Sequence, residues 1–169
     1  MSYYIDAPPD MEDQMIDFAF EPRQDDDSWS PDWHPDHPTL NGSDFCLQYF
    51  KADRRLIIHG ADLSVRLLGE PVVDFALMLD YATRELMDQN SVSAEASLTQ
   101  HLYSFLREEQ VVTLTTTWPP GTVARLSWSE LQELTERAKD EAVRLITTAH
   151  PELRHNTWLR QTVGQPPAA

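Results

Sequence analysis

Twelve acids against a single base crowd the first 44 residues of this chain, and a segment of that composition cannot build a core of its own. The acids are Asp6, Asp10, Glu12, Asp13, Asp17, Glu21, Asp25, Asp26, Asp27, Asp32, Asp36 and Asp44, and the base is Arg23. The same stretch holds prolines 8, 9, 22, 31, 35 and 38, half of the chain's 12. Of the formal net charge of −15, only −4 remains for the 125 residues that follow. The sequence therefore predicts an acidic, proline-rich, partly disordered arm over 1–44, a single α+β domain over 45–160 and a loose tail over 161–169.

The arm is not purely polar. Phe18 and Phe20 sit near Asp17 and Glu21, and Trp29 and Trp33 follow the Asp25–Asp27 run. Acids keep such a segment solvated while its aromatic groups stay open to contact. Asp25, Asp26, Asp27, Trp29, Trp33, Phe18 and Phe20 are thus the expected partner-binding residues. The alternative is a strap, in which Phe18, Phe20 and a tryptophan fold back on the body.

Charge also selects the partner. Nucleic acids and anionic membranes are polyanions that bind basic patches, and here the one adjacent basic pair, Arg54-Arg55, has Asp53 beside it. Neither nucleic acid nor membrane is expected, whereas a basic protein partner is. The N-terminus has no basic patch followed by an apolar run, so it does not read as a signal peptide. With the single cysteine Cys46, no internal disulfide is possible. A cytoplasmic location is the expectation.

From Phe45 onward the pattern becomes periodic. Phe45, Leu47 and Tyr49 alternate as in a strand, Lys51–Arg54 reads as a polar turn, and strands are expected at Leu56–His59 and Leu63–Leu68. Asp74 is the expected N-cap of a helix whose stripe is Phe75, Met78, Leu79, Ala82 and Leu86, ending near Asn90. Residues 95–107 fit either helix or strand, and a strand from about His101 is preferred because the β-branched run Val111–Thr117 follows. Pro120-Gly121 suits the centre of a type II turn, with a strand returning over Thr122–Leu126. Ser127 with Glu130 forms a capping-box pattern for a final helix to about Ala149, stopped at His150-Pro151, with a short helical piece near Trp158-Leu159. The fold class is α+β, two antiparallel β-meanders each followed by a helix.

Catalytic and cofactor motifs are missing. The five glycines, at 42, 60, 69, 121 and 164, are too scattered for a phosphate loop. His34-Pro35-Asp36-His37 with Asp32 is the densest ligand set, but prolines 35 and 38 forbid a helix that would align the two histidines, so no metal site is expected. Asp25-Asp26-Asp27-Ser28-Trp29-Ser30 lacks the third oxygen ligand and the glycine of a calcium loop. Cys46, His59 and His101 read as sheet residues, and no catalytic residue or cofactor is expected.

The run Leu56–Leu86 contains Ala61-Asp62-Leu63-Ser64-Val65, then Gly69-Glu70-Pro71, then an apolar helix after Asp74. It resembles small uncharacterised bacterial α+β domains, some of which are immunity proteins that neutralise toxins. The resemblance implies a non-catalytic, immunity-type or regulatory module. Such inhibitors are often acidic because many of their nuclease targets are basic, although they commonly use an ordered face rather than an arm. The other expectation is an enzyme or small-ligand binder with a pocket over the sheet that includes His59, His101 or Tyr103.

Overall fold

The computed structural model describes residues 15–165, so the first part of the acidic arm and the last four residues of the tail lie outside it. The described chain forms two four-stranded antiparallel sheets with helices, the α+β class expected. In the first sheet β2 (Lys51–Ile58) pairs with β1 (Ile16–Pro22) on one edge. On its other edge it pairs with the short β3 (Ala61–Asp62) and with β4 (Val65–Pro71). The second sheet is a meander of β5 (Ser91–Glu95), β6 (Leu102–Glu108), β7 (Val111–Thr116) and β8 (Val123–Ser127). Helix α1 (Val72–Glu85) follows β4, α2 (Trp128–Ala149) follows β8, and the two helices pack on each other. A short α3 (Thr157–Thr162) closes the fold.

The domain boundary moves. Residues 16–44 are part of the folded body, because β1 alternates Phe18 and Phe20 inward with Asp17 and Glu21 outward. Phe18 and Phe20 are 7% and 6% exposed and meet Phe75 of α1, both with ring centroids 6.0 Å from it. On the outer face Arg55 of β2 pairs with Asp17 and Glu21 of β1, at 3.0 and 3.2 Å. Two of the acids that make this segment look like a solvated arm, Asp17 and Glu21, lie on one face of a strand.

Two further expectations are corrected. Phe45–Phe50 is not a strand: Asp44–Gln48 makes a single wide helical turn, closed by the Tyr49 N–H donating to the Asp44 carbonyl. Phe45 and Phe50, five apart, both lie in the core with 0% exposure while Leu47 is outside, a spacing this wide turn satisfies and a strand does not. Lys51–Arg54 is the first half of β2 rather than a turn, with Ala52, Arg54, Leu56 and Ile58 all inward. Arg54 hid the alternation, because arginine at an inward position reads as polar until its partner is known.

From His101 onward the chain follows its pattern closely, but β5 (Ser91–Glu95) occupies a stretch that reads as a turn, since its outward Ser91, Ser93 and Glu95 leave only Val92 and Ala94 as apolar members. Ser127 accepts from the Glu130 backbone N–H and Glu130 accepts from the Ser127 N–H, completing the capping box of α2. Gly121, at φ +77, takes the left-handed position of the Pro120-Gly121 turn. Asp74 lies in the first turn of α1 instead of capping it, and accepts from the Ser97 N–H and hydroxyl at 2.9 and 2.6 Å. Burial raises its carboxyl above the usual range, and those two bonds oppose the shift.

Candidate functional site

The expected partner-binding residues divide by environment. Phe18 and Phe20 belong to the core. The Trp29 indole N–H donates to the Lys51 carbonyl at 2.7 Å, and its ring meets Phe50 edge-on. Asp26 accepts from the Ser28 N–H and hydroxyl and from the Lys51 N–H, while the Ser28 hydroxyl oxygen accepts from the Phe50 N–H at 2.8 Å. These bonds hold Phe50 in its left-handed conformation, φ +60, so Asp26 is a structural clamp. Asp25 takes a two-pronged bond from Arg23, which keeps its carboxyl below the usual carboxylate range.

What remains open is a depression of about 390 Å³ in which Asp25 and Asp27 face Trp33, Tyr49 and Leu68, with Arg23 and Lys51 also on its walls. The Trp33 and Tyr49 rings lie 4.8 Å apart. The two bases offset two of the three carboxylates lining this pocket, Asp26 being the third. The pocket is therefore nearly balanced in charge, and most of the chain's formal charge of −15 lies outside it.

Leu68 links this pocket to an apolar one. The ladder between β2 and β4 runs Ala52 to Glu70 and then jumps to Arg54 with Val65, so Arg66–Gly69 bulges off the sheet. The bulge turns Leu67 and Leu68 into solvent, 65% and 72% exposed. Gly69 takes φ +69, and a Cβ there would overlap the Arg23 side chain, so the bulge needs glycine at this position. Leu67, Leu68 and Val65 form a cleft of about 480 Å³ with Thr99, His101 and Trp118. Trp118 is 40% exposed, and its ring stacks over His101 at 6.4 Å.

Beneath the cleft lies a buried polar network that joins the two sheets. Arg54 of β2 and Glu70 of β4, 2% and 5% exposed, pair at 2.9 Å. Arg54 also donates to the Tyr103 hydroxyl of β6, and its guanidinium lies 3.9 Å from the Phe75 ring centre. The second Glu70 oxygen accepts from the Thr99 hydroxyl at 2.6 Å. His101 Nδ1 approaches that oxygen to 3.1 Å but is not aligned for a hydrogen bond. Desolvation raises the Tyr103 hydroxyl above its usual range.

Of the three residues of the pocket-over-the-sheet expectation, only His101 lines the cleft. Tyr103 is 1% exposed behind it, and His59 pairs with Glu130 at the start of α2. Among the described lining residues Thr99 is the one hydroxyl, and it donates to Glu70 rather than to His101. Burial pushes the Cys46 thiol up to about 12, which opposes thiolate chemistry there.

A separate convergence, which the sequence could not place, brings His37 together with His150, the residue after α2, and Glu152 of the 3-10 turn that follows. His37 Nε2 lies 2.6 Å from Glu152 Oε1, and the Trp33 ring packs on His150. Sequence reasoning also missed Leu67 and Leu68, although two adjacent leucines before a glycine in a strand are a sign of a bulge. No helix among the described residues is long and apolar enough to cross a membrane. Comparison with family models, curated proteins and solved structures found no match.

Proposed function

We propose that this chain is a non-catalytic protein-binding module whose partner is a basic protein. The observation that carries the reading is the bulge that holds Leu67 and Leu68 in solvent beside Trp118. Burying neighbouring leucines in a core would be favourable by about 1.5–3 kcal/mol each, so a strand that turns them outward keeps them for contact. Trp118 and the Trp33–Tyr49 pair flank them with the residue types enriched in binding hot spots. A cationic side chain of the partner fits between Asp27 and the faces of Trp33 and Tyr49. The net charge of −15 supplies long-range attraction. Inhibition of a basic toxin is the form of this reading that the sequence resemblance supports. The second reading, a small-ligand binder, draws on one feature, the enclosure of His101 within the apolar cleft.

The test uses the partner purified from the native host. Leu68→Glu should leave stability within about 0.5 kcal/mol, since the side chain is exposed, and weaken binding at least about thirtyfold. Leu106→Glu, on the outer face of the second sheet, is the control and should leave binding unchanged. Raising salt should slow association more than it speeds dissociation, because steering acts within about 10 Å at 0.1 M. Affinity indifferent to both Leu68→Glu and salt would overturn the reading.

A further inference from the structure

We infer that His37, His150 and Glu152 form a site for a zinc-class divalent metal ion, with ligands separate from the partner surface although Trp33 adjoins both. One ligand atom from each residue lies within 4.8 Å of the other two. His150 is 3% exposed in its side chain and its orientation is fixed, because Nε2 meets the Ser28 carbonyl at 2.6 Å. A carbonyl can only accept, so Nε2 is the donor of that bond and Nδ1 is the nitrogen left for a metal. That nitrogen lies 4.0 Å from Glu152 Oε1. Histidines that bind metal are held in this way, with the far N–H on a backbone carbonyl and the near nitrogen free.

The third group completes the set. His37 Nε2 lies 2.6 Å from Glu152 Oε1, and His37 Nδ1 is buried with no partner among the described residues. Tetrahedral zinc bonds of about 2.0–2.1 Å place ligand atoms roughly 3.3 Å apart. The 2.6 and 4.0 Å separations bracket that value, and Glu152, 46% exposed, has freedom to adjust. An ion entering here replaces the direct His37–Glu152 contact and takes two nitrogens and one oxygen. Two imidazoles select zinc, cobalt or nickel over calcium or magnesium. The expectation of no metal was made on the local run His34-Pro35-Asp36-His37 with Asp32, whose prolines prevent alignment; the proposed site keeps His37 and draws His150 and Glu152 from far along the chain.

The experiment is calorimetric titration of the EDTA-treated full chain with zinc chloride, paired with melting curves. One zinc per chain is expected, with a melting temperature that rises with zinc concentration and does not rise with magnesium. Glu152→Gln and His37→Gln, at partly exposed positions, should each weaken zinc at least about tenfold while the zinc-free melting curve stays cooperative. Absence of a one-to-one zinc isotherm, or one unchanged in both variants, would overturn the site. Loss of partner binding through Leu68→Glu with zinc binding intact would separate the two readings.

Discussion

Deleting residues 1–22 is expected to abolish cooperative thermal unfolding. The deletion removes all of β1, whose seven residues pair with β2 from Ile16–Ile58 to Pro22–Ala52. It also removes Phe18 and Phe20, which close the core over Phe75. Truncating a buried phenylalanine costs about 3–5 kcal/mol, and a domain of this size has about 5–15 kcal/mol in all. Phe18→Ala alone should cost about 3–5 kcal/mol in urea unfolding. From composition alone the acidic arm would be dispensable, with a cost of no more than about 2 kcal/mol. A truncated chain that melts cooperatively with little loss of stability would restore that view and place β1 outside the core.

Arg54→Ala is expected to cost about 3–5 kcal/mol, because it leaves the Glu70 carboxylate buried without its counter-charge. The same change removes the donor to the Tyr103 hydroxyl and the cation over Phe75, so the two sheets lose their polar connection. Glu70→Gln should cost less, since an amide oxygen can still accept from Arg54 or Thr99. The double variant should be less damaging than the sum of the two, as neither charge is then left alone. Denaturant midpoints of the four proteins check this, and additive costs would mean that the pair is not coupled.

Strands β6 to β8 and α2 were legible because they carry complete local signals: the β-branched Val111–Thr116 run, a proline–glycine turn, and a capping box followed by an apolar stripe; β5 was not, because Ser91 and Ser93 after Asn90 read as a turn. The first sheet was not, for reasons that particular residues make plain. In β1 the alternation Ile16, Phe18, Phe20 was present, but Asp17 and Glu21 between them counted toward an acidic arm until Arg55 was seen opposite. In β2 an inward arginine masked the period because its partner Glu70 lies sixteen residues on. The candidate site was less legible still. Leu67 and Leu68 become surface groups only through a bulge, which is a property of strand pairing. The Asp25–Asp27 run was visible, yet its partners Arg23 and Lys51, which turn much of it to structural use, were not.

Hydrogen–deuterium exchange of the chain with and without its purified partner tests the central claim most directly. In the free protein the amides of Arg66–Gly69 lie off the ladder and should exchange quickly, since no strand partner holds them. Binding should slow exchange there, at the Trp118 turn and in the loop carrying Asp25–Trp33. It should leave the outer face of the second sheet, around Leu106 and Val123, unchanged. Protection confined to that outer face, or a complex in which residues 66–69 exchange as fast as in the free chain, would contradict the account.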